Sequence, residues 1–217
     1  MLLRHLGAYG TSQTGNTLNH KACLCSIIKF LWKKRRHGML KLDNTVLSVI
    51  DVQGELAHAM YNKEMLFENL QKLIKGSKIL GIPVLWTEQN PEGLGPTIPE
   101  VANLLSDIKP VSKLSFSCCG NERFMEALRA LNRNQVLLAG IEAHVCIYQT
   151  AVDLVNLGYE VQVVVDAVSS RTKENKLIGL ERIREVGVSL TSTETVLFEL
   201  LKVAEGPKFD GILNIVK

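Results

Sequence analysis

The feature that most restricts the fold of this chain is a regular alternation, from residue 39 onward, of short apolar runs with segments of helical periodicity. The apolar runs are rich in Val, Ile and Leu and lack a strict apolar–polar alternation. That pattern is typical of strands buried on both faces of a parallel sheet. The runs lie at residues 45–51 (TVLSVID), 84–87, 135–141 (QVLLAGI), 161–166 (VQVVVD) and 188–191. A further short strand is predicted over residues 109–113.

Amphipathic helices are predicted between these strands, because their apolar residues recur at three- and four-residue spacing. The predicted helices are residues 63–80, 121–132, 143–157, 173–185 and 194–203. Residues 88–99 contain two Gly and three Pro and predict a long loop, and residues 206–217 predict a final short element. Alternating strands and helices favour a mostly parallel sheet with helices on both faces, which is a three-layer α/β/α sandwich.

The charge of the chain is divided between two regions. The net charge is +3, yet residues 1–38 contain seven basic residues and no acidic one. Residues 39–217 therefore have 18 basic and 22 acidic residues, a net charge of −4. Nucleic-acid binding depends on clustered positive charge, so we expect no nucleic-acid partner for the domain at 39–217.

The first 38 residues are interpreted as a basic N-terminal extension, either disordered or not part of the fold. The basic run at 33–36 follows the apolar patch at 22–32, whereas a secretory signal has its charges first. A mitochondrial transit peptide, a nuclear-type or lipid-binding basic patch, and a misassigned start ahead of Met39 all remain open. We expect a cytoplasmic protein, or a mitochondrial one if this segment is a transit peptide.

Cysteine content and hydropathy bear on the redox environment of the protein and on membrane spans. The five cysteines show no Cys-x-x-Cys spacing and are too few for a disulfide framework, so they indicate a reducing compartment. They are Cys23, Cys25, Cys118, Cys119 and Cys146. No apolar run reaches 18 residues, and we expect no membrane span.

Three reactive side chains follow predicted strands, where parallel α/β folds bind their ligands. They are Asp51, Lys113 and Cys146. Cys146 also falls near the start of a predicted helix, whose free N–H groups and a nearby lysine would lower the pKa of its thiol. Asp51 could accept the thiol proton and return it to a leaving amine. The three positions together indicate a cysteine nucleophile.

Other motifs in the sequence are weaker candidates for a functional site. Residues 76–81 have P-loop glycine spacing but lack the Lys-Ser/Thr that must follow. His144 precedes Cys146 by two residues, so the two side chains would not face each other on a helix. Cys118 and Cys119 are interpreted as structural, and His58 as a surface residue.

Several ordered motifs of the chain resemble the isochorismatase-like cysteine hydrolases, in particular the isochorismatase-domain-containing subgroup. The resemblance covers about residues 42–205. It rests on Asp51-Val52-Gln53, KLSFS (113–117), TEQNPEGLGPT (87–97), GIEAHVC (140–146) and VVVDAVSSR (163–171).

The resemblance implies a catalytic triad of Asp51, Lys113 and Cys146. It also implies a cis peptide bond between Ile141 and Glu142, with the backbone N–H groups of Glu142 and Cys146 forming an oxyanion hole. A homo-oligomer is expected on the same grounds.

The resemblance also bears on the substrate. It implies that Gln53, Gln89 and Phe116 line the pocket. Nicotinamidases of the family have an Asp-x-His metal site, but the equivalent residues 87–91 (TEQNP) contain no His. We therefore expect no metal, no cofactor and no nicotinamide substrate.

Isochorismatases proper cleave a vinyl ether and lack the nucleophilic cysteine, whereas Cys146 is present here. The sequence thus predicts a cysteine-dependent hydrolase of a small amide, carbamoyl or related acyl substrate. Two alternatives remain open at this stage. One is a non-enzymatic interaction protein that keeps the fold, and the other is a redox-responsive thiol protein.

Overall fold

The computed structural model describes residues 38–217, so the predictions made for the N-terminal extension lie outside the described residues. Six parallel strands form one sheet in the order β3-β2-β1-β4-β5-β6. The strands are β1 (Thr45–Ile50), β2 (Val84–Gln89), β3 (Val111–Lys113), β4 (Gln135–Ile141), β5 (Glu160–Ser169) and β6 (Ser189–Thr191).

Helices connect the strands, and several begin at a polar cap. Asn121, Thr172 and Ser192 each accept a hydrogen bond from a backbone N–H of the turn that follows, which satisfies one otherwise unpaired donor. The helices are α1 (Gly54–His58), α2 (Lys63–Leu80), α3 (Pro91–Leu94), α4 (Pro99–Ala102), α5 (Glu122–Ala130), α6 (Tyr148–Asn156), α7 (Lys173–Glu185), α8 (Thr193–Leu201) and α9 (Pro207–Val216). A 3-10 turn spans Cys118–Gly120, and a π-helical turn spans Ala143–Ile147.

The described helices lie in two layers, one on each face of the sheet. Buried side chains of α2, α8 and α9 pack with Leu47, Val49 and Leu137 in one apolar cluster. Buried side chains of α5, α6 and α7 pack with Val46 and other sheet residues in a second cluster. The predicted three-layer α/β/α sandwich is confirmed. Within the described residues, none of the helices combines the length and apolar character needed to cross a membrane.

The prediction of a loop over 88–99 is wrong in part. Strand β2 continues to Gln89, because Gln89 pairs with Lys113 of β3. Pro91 and Pro99 then begin α3 and α4, where a residue without an N–H group is tolerated. Proline and glycine content alone does not separate such short helical turns from a loop.

Strands β1 and β4 are adjacent, although α2, β2 and β3 lie between them in the chain. The chain builds the sheet outward from β1 to β3 and then returns to β4, so strand order reverses between β1 and β4. In parallel α/β sheets, such a reversal opens a crevice at the carboxyl ends of the two strands. Asp51 follows β1, and Cys146 follows β4, so both lie at this crevice.

Gly140, near the end of β4, allows the two strands to approach closely at the crevice. Its φ is +115°, and a Cβ atom there would lie 2.1 Å from the carbonyl oxygen of Ile50. Both the backbone conformation and the contact with β1 therefore require glycine.

We predict that Gly140→Ala destabilises the fold by about 3 kcal/mol, since left-handed strain and overpacking each contribute about 1–2 kcal/mol. Gly158→Ala is the matched control, because Gly158 has a φ of +98° but no neighbouring atom within 4 Å of the position that an added Cβ would take. Urea unfolding of both variants checks the difference. Equal losses of unfolding free energy would contradict the role of the Ile50 contact.

Candidate active site

Asp51 occupies a constrained backbone position directly after β1. Its φ is +54°, which is unusual for a non-glycine residue. Its N–H donates to the carbonyl oxygen of Thr87 at 3.1 Å, and its own carbonyl oxygen accepts from the N–H of Gln53 at 2.9 Å. The residue is only 2% exposed. The backbone thus holds the carboxylate beneath the crevice.

Lys113, the last residue of β3, forms a buried ion pair with Asp51. Its Nζ lies 2.6 Å from Asp51 Oδ2, and the two side chains are 0% and 3% exposed. The same Nζ donates to Gln89 Oε1 at 2.8 Å and to the carbonyl oxygens of Ser115 at 3.0 Å and Phe116 at 3.1 Å. These acceptors offset the cost of removing the ammonium group from water.

Cys146 lies in the π-helical turn between β4 and α6, and is 7% exposed. Burial raises the pKa of its thiol well above the usual range, and the negative charge of Asp51 and a hydrogen bond with that carboxylate raise it further. The charge of Lys113 acts in the opposite direction and is outweighed. The prediction of a lowered thiol pKa is therefore wrong, because Lys113 is paired with an anion that itself faces the sulfur.

The carboxylate of Asp51 is the centre of this arrangement. Thr87 Oγ1 donates to its Oδ1 at 2.7 Å, Lys113 Nζ donates to its Oδ2, and its negative charge acts on the thiol of Cys146. The structure therefore brings together the three side chains that the sequence predicted as reactive. Because the pKa of Cys146 is raised, its thiol is protonated at neutral pH.

Gln53 differs from its predicted position in the pocket wall, because both ends of its amide are bound to backbone. Its Nε2 donates to the carbonyl oxygens of Gln89 at 3.1 Å and Gly95 at 2.7 Å, and its Oε1 accepts from the N–H of Gln89 at 2.6 Å. The residue is completely buried. Gln53 thus binds the end of β2 and the residue that follows α3.

Gln89 and Phe116 are arranged around Lys113. Gln89 accepts from Lys113 through Oε1 and donates from Nε2 to the carbonyl oxygen of Leu114 at 2.7 Å. Phe116 is 54% exposed and Leu114 is 79% exposed. The segment after β3 therefore binds the buried lysine through its carbonyl oxygens while it presents apolar side chains to the outside.

The peptide bond between Ile141 and Glu142 is cis. The carboxylate of Glu142 accepts hydrogen bonds from the N–H of Arg171 at 2.9 Å and from its Nε at 3.3 Å. His144 bonds through Nδ1 to Ser170 Oγ at 3.0 Å. The residues that follow β4 are thus held by the residues that follow β5, a connection that the sequence pattern did not reveal.

The pKa values of the other two described thiols are raised as well. Burial raises the pKa of Cys118 to about 11 and that of Cys119 to about 12. His58 is exposed and makes an edge-to-face contact with Phe67, with ring centroids 5.6 Å apart. Within residues 38–217, no group of three or more His, Cys, Asp or Glu side chains is arranged to hold a metal ion.

Comparison with known proteins shows the family of this chain. The family model of the isochorismatase domain matches residues 45–195. The chain belongs to the isochorismatase family. Isochorismatase domain-containing protein 2 of Danio rerio is 39% identical over 180 residues, which cover 82% of this chain and 90% of the relative.

Two solved structures of the isochorismatase fold illustrate its range. One is MAR1 ribonuclease from Caenorhabditis elegans, which is 33% identical to this chain with a TM-score of 0.77. The match covers 82% of this chain and 92% of the ribonuclease. The other is the YcaC gene product of Escherichia coli, described as an octameric hydrolase of unknown specificity. It is 22% identical with a TM-score of 0.77, and the match covers 82% of this chain and 88% of the YcaC chain. The second likeness shows the fold alone.

We predict that the buried ion pair behaves as one unit in a double-mutant cycle. Asp51→Asn or Lys113→Met alone leaves an unpaired buried charge and destabilises the fold by about 3–5 kcal/mol. The double variant loses clearly less than the sum of the single losses, because neither charge remains. Guanidinium unfolding of the four proteins measures this coupling. Additive losses would contradict it.

Proposed function

We propose that this protein is a cysteine-dependent hydrolase of a small amide or a related acyl compound. The observation that supports this most directly is the buried cluster of Asp51, Lys113 and Cys146 at the crevice between β1 and β4. A thiol, a carboxylate that can accept its proton and a cation that stabilises the carboxylate together suit acyl transfer.

The proposed reaction has two halves. First, Asp51 accepts the proton of Cys146 as sulfur attacks the carbonyl carbon. The tetrahedral intermediate then collapses, Asp51 protonates the leaving nitrogen, and a thioester on Cys146 remains. Next, Asp51 accepts a proton from water, whose oxygen attacks the thioester. The acid departs, and the proton returns from Asp51 to sulfur.

The raised pKa of Cys146 suits this sequence of steps. A free thiolate is not needed at rest, because the proton moves within the pair at the moment of attack. Lys113 remains beside the carboxylate throughout and limits the charge that the buried cluster accumulates. The backbone N–H groups of Glu142 and Cys146 are proposed to donate to the oxyanion of the tetrahedral intermediate.

The substrate is proposed to be small and uncharged at its reacting group, such as a primary amide or a carbamoyl compound. RNA is not proposed as a substrate, because residues 39–217 have a net charge of −4. We also propose a homo-oligomer, which light scattering of the purified protein would detect, and a cytoplasmic or mitochondrial location.

We predict that a panel of small amides and carbamoyl compounds contains a substrate, and that Cys146→Ala lowers its turnover by at least about 10³-fold. The panel includes nicotinamide and a short RNA, for which we expect no turnover. Product release by liquid chromatography and trapping of the thioester by mass spectrometry provide the measurements. Cys119→Ala is the control, because Cys119 lies outside the cluster, and it retains full turnover.

Turnover that persists in Cys146→Ala would overturn the nucleophile assignment. A wild-type protein that turns over no compound, but binds a protein partner equally well with and without Cys146, would favour the interaction-protein alternative. A stable sulfenate at Cys146 after mild peroxide, resolved by a second thiol, would favour the redox alternative.

We predict that Asp51→Asn makes Cys146 easier to alkylate with iodoacetamide but slows hydrolysis of the substrate. The substitution removes the negative charge that helps to raise the pKa of Cys146, whereas Lys113 still acts to lower it. The midpoint of Cys146 alkylation by iodoacetamide therefore moves to lower pH. Hydrolysis falls by at least about 100-fold, since the proton acceptor is lost.

Peptide mass spectrometry across pH measures the alkylation, and the substrate found in the panel measures the hydrolysis. An alkylation midpoint that moves to higher pH in Asp51→Asn would contradict the electrostatic account of this thiol.

A further inference from the structure

Thr87 of β2 contacts Asp51 at two points. Its carbonyl oxygen accepts the N–H of Asp51 at 3.1 Å, and its Oγ1 donates to Asp51 Oδ1 at 2.7 Å. The register of the sheet places Thr87 opposite Ile50, the last residue of β1. Thr87 is 1% exposed, so water does not replace these contacts.

The direction of the hydrogen bond between the Thr87 hydroxyl and Asp51 follows from the chemistry of the two groups. An ionised carboxylate has no proton to donate, so Thr87 is the donor to Asp51. The sulfur of Cys118 lies 3.9 Å from the same Oγ1. Because burial raises the pKa of Cys118 to about 11, this sulfur is a thiol at neutral pH and can donate to the oxygen of Thr87. The hydroxyl proton of Thr87 is then directed to Asp51.

The two oxygens of Asp51 therefore have different partners. Oδ1 accepts from Thr87, and Oδ2 accepts from Lys113. With both oxygens held, the carboxylate plane has one orientation toward the thiol of Cys146. The described titratable groups that face Asp51 are Lys113 from β3, Cys146 from the π-helical turn and Cys118 from the 3-10 turn.

We propose that Thr87 is a positioning residue of the hydrolase: its hydroxyl orients the carboxylate of Asp51 toward Cys146 and stabilises the charged form that accepts the thiol proton. This inference rests on the proposed function, because it assigns Thr87 a role through Asp51. Thr87 lies within an apolar run of the sequence, where a hydroxyl group would otherwise be a poor choice for a buried strand.

The test is steady-state hydrolysis by the full chain, with the substrate found in the panel of small amides and carbamoyl compounds. Thr87 is buried and acts through Asp51 rather than on the substrate. Thr87→Val therefore lowers kcat by about 10-fold or more and leaves KM within about twofold of wild type.

A conservative variant separates a positioning role from a packing role. Thr87→Ser keeps the hydroxyl and returns kcat to within about twofold of wild type. A packing role would instead be disturbed by Thr87→Ser, which loses a methyl group, more than by the nearly isosteric Thr87→Val. Thr87→Ala also lacks the hydroxyl and serves if the valine variant fails to fold.

The outcomes distinguish this inference from the proposed function. If Cys146→Ala abolishes turnover but Thr87→Val or Thr87→Ala retains the wild-type kcat, the role of Thr87 is overturned while the hydrolase proposal stands. If wild type hydrolyses none of the panel, both are overturned. A kcat lowered equally in Thr87→Ser and Thr87→Val also overturns the role of the hydroxyl.

Discussion

The buried ion pair between Asp51 and Lys113 is the interaction on which the rest of this site depends. Removing two charges from water costs several kcal/mol per ion, and the pair persists only if other groups satisfy the remaining donors and acceptors. Here Thr87 satisfies the second oxygen of Asp51, while Gln89 and two backbone carbonyl oxygens satisfy the ammonium group. The ends of β1, β2 and β3 are thereby joined by one set of polar contacts.

The same pair decides the state of Cys146. A lysine alone beside the sulfur would favour a thiolate, but Lys113 is paired with Asp51, whose negative charge raises the pKa of the thiol. The result is a thiol that is protonated at neutral pH. In the proposed reaction, the nucleophile forms only as sulfur attacks a carbonyl carbon and Asp51 accepts the proton.

Polar contacts outside the pair hold the surrounding segments. Gln53 binds the backbone at Gln89 and Gly95, so the segment after β2 cannot move independently of Asp51. Glu142 binds Arg171 in a similar way across the ends of β4 and β5. The crevice is therefore bounded by side chains whose hydrogen-bonding groups bind the protein itself, which keeps the geometry of the reacting groups constant.

The sequence by itself determined the strands β1 and β4, the layered α/β architecture and the strand-end positions of Asp51, Lys113 and Cys146, since hydrophobic periodicity is a local property. Only the tertiary structure decided what each side chain faces. It reversed the expected pKa shift of Cys146 and extended β2 through pairing with Lys113. It also gave Thr87, at the end of the apolar run 84–87, a buried polar partner. Burial and charge–charge distances arise from residues far apart in the chain, and no local pattern contains them.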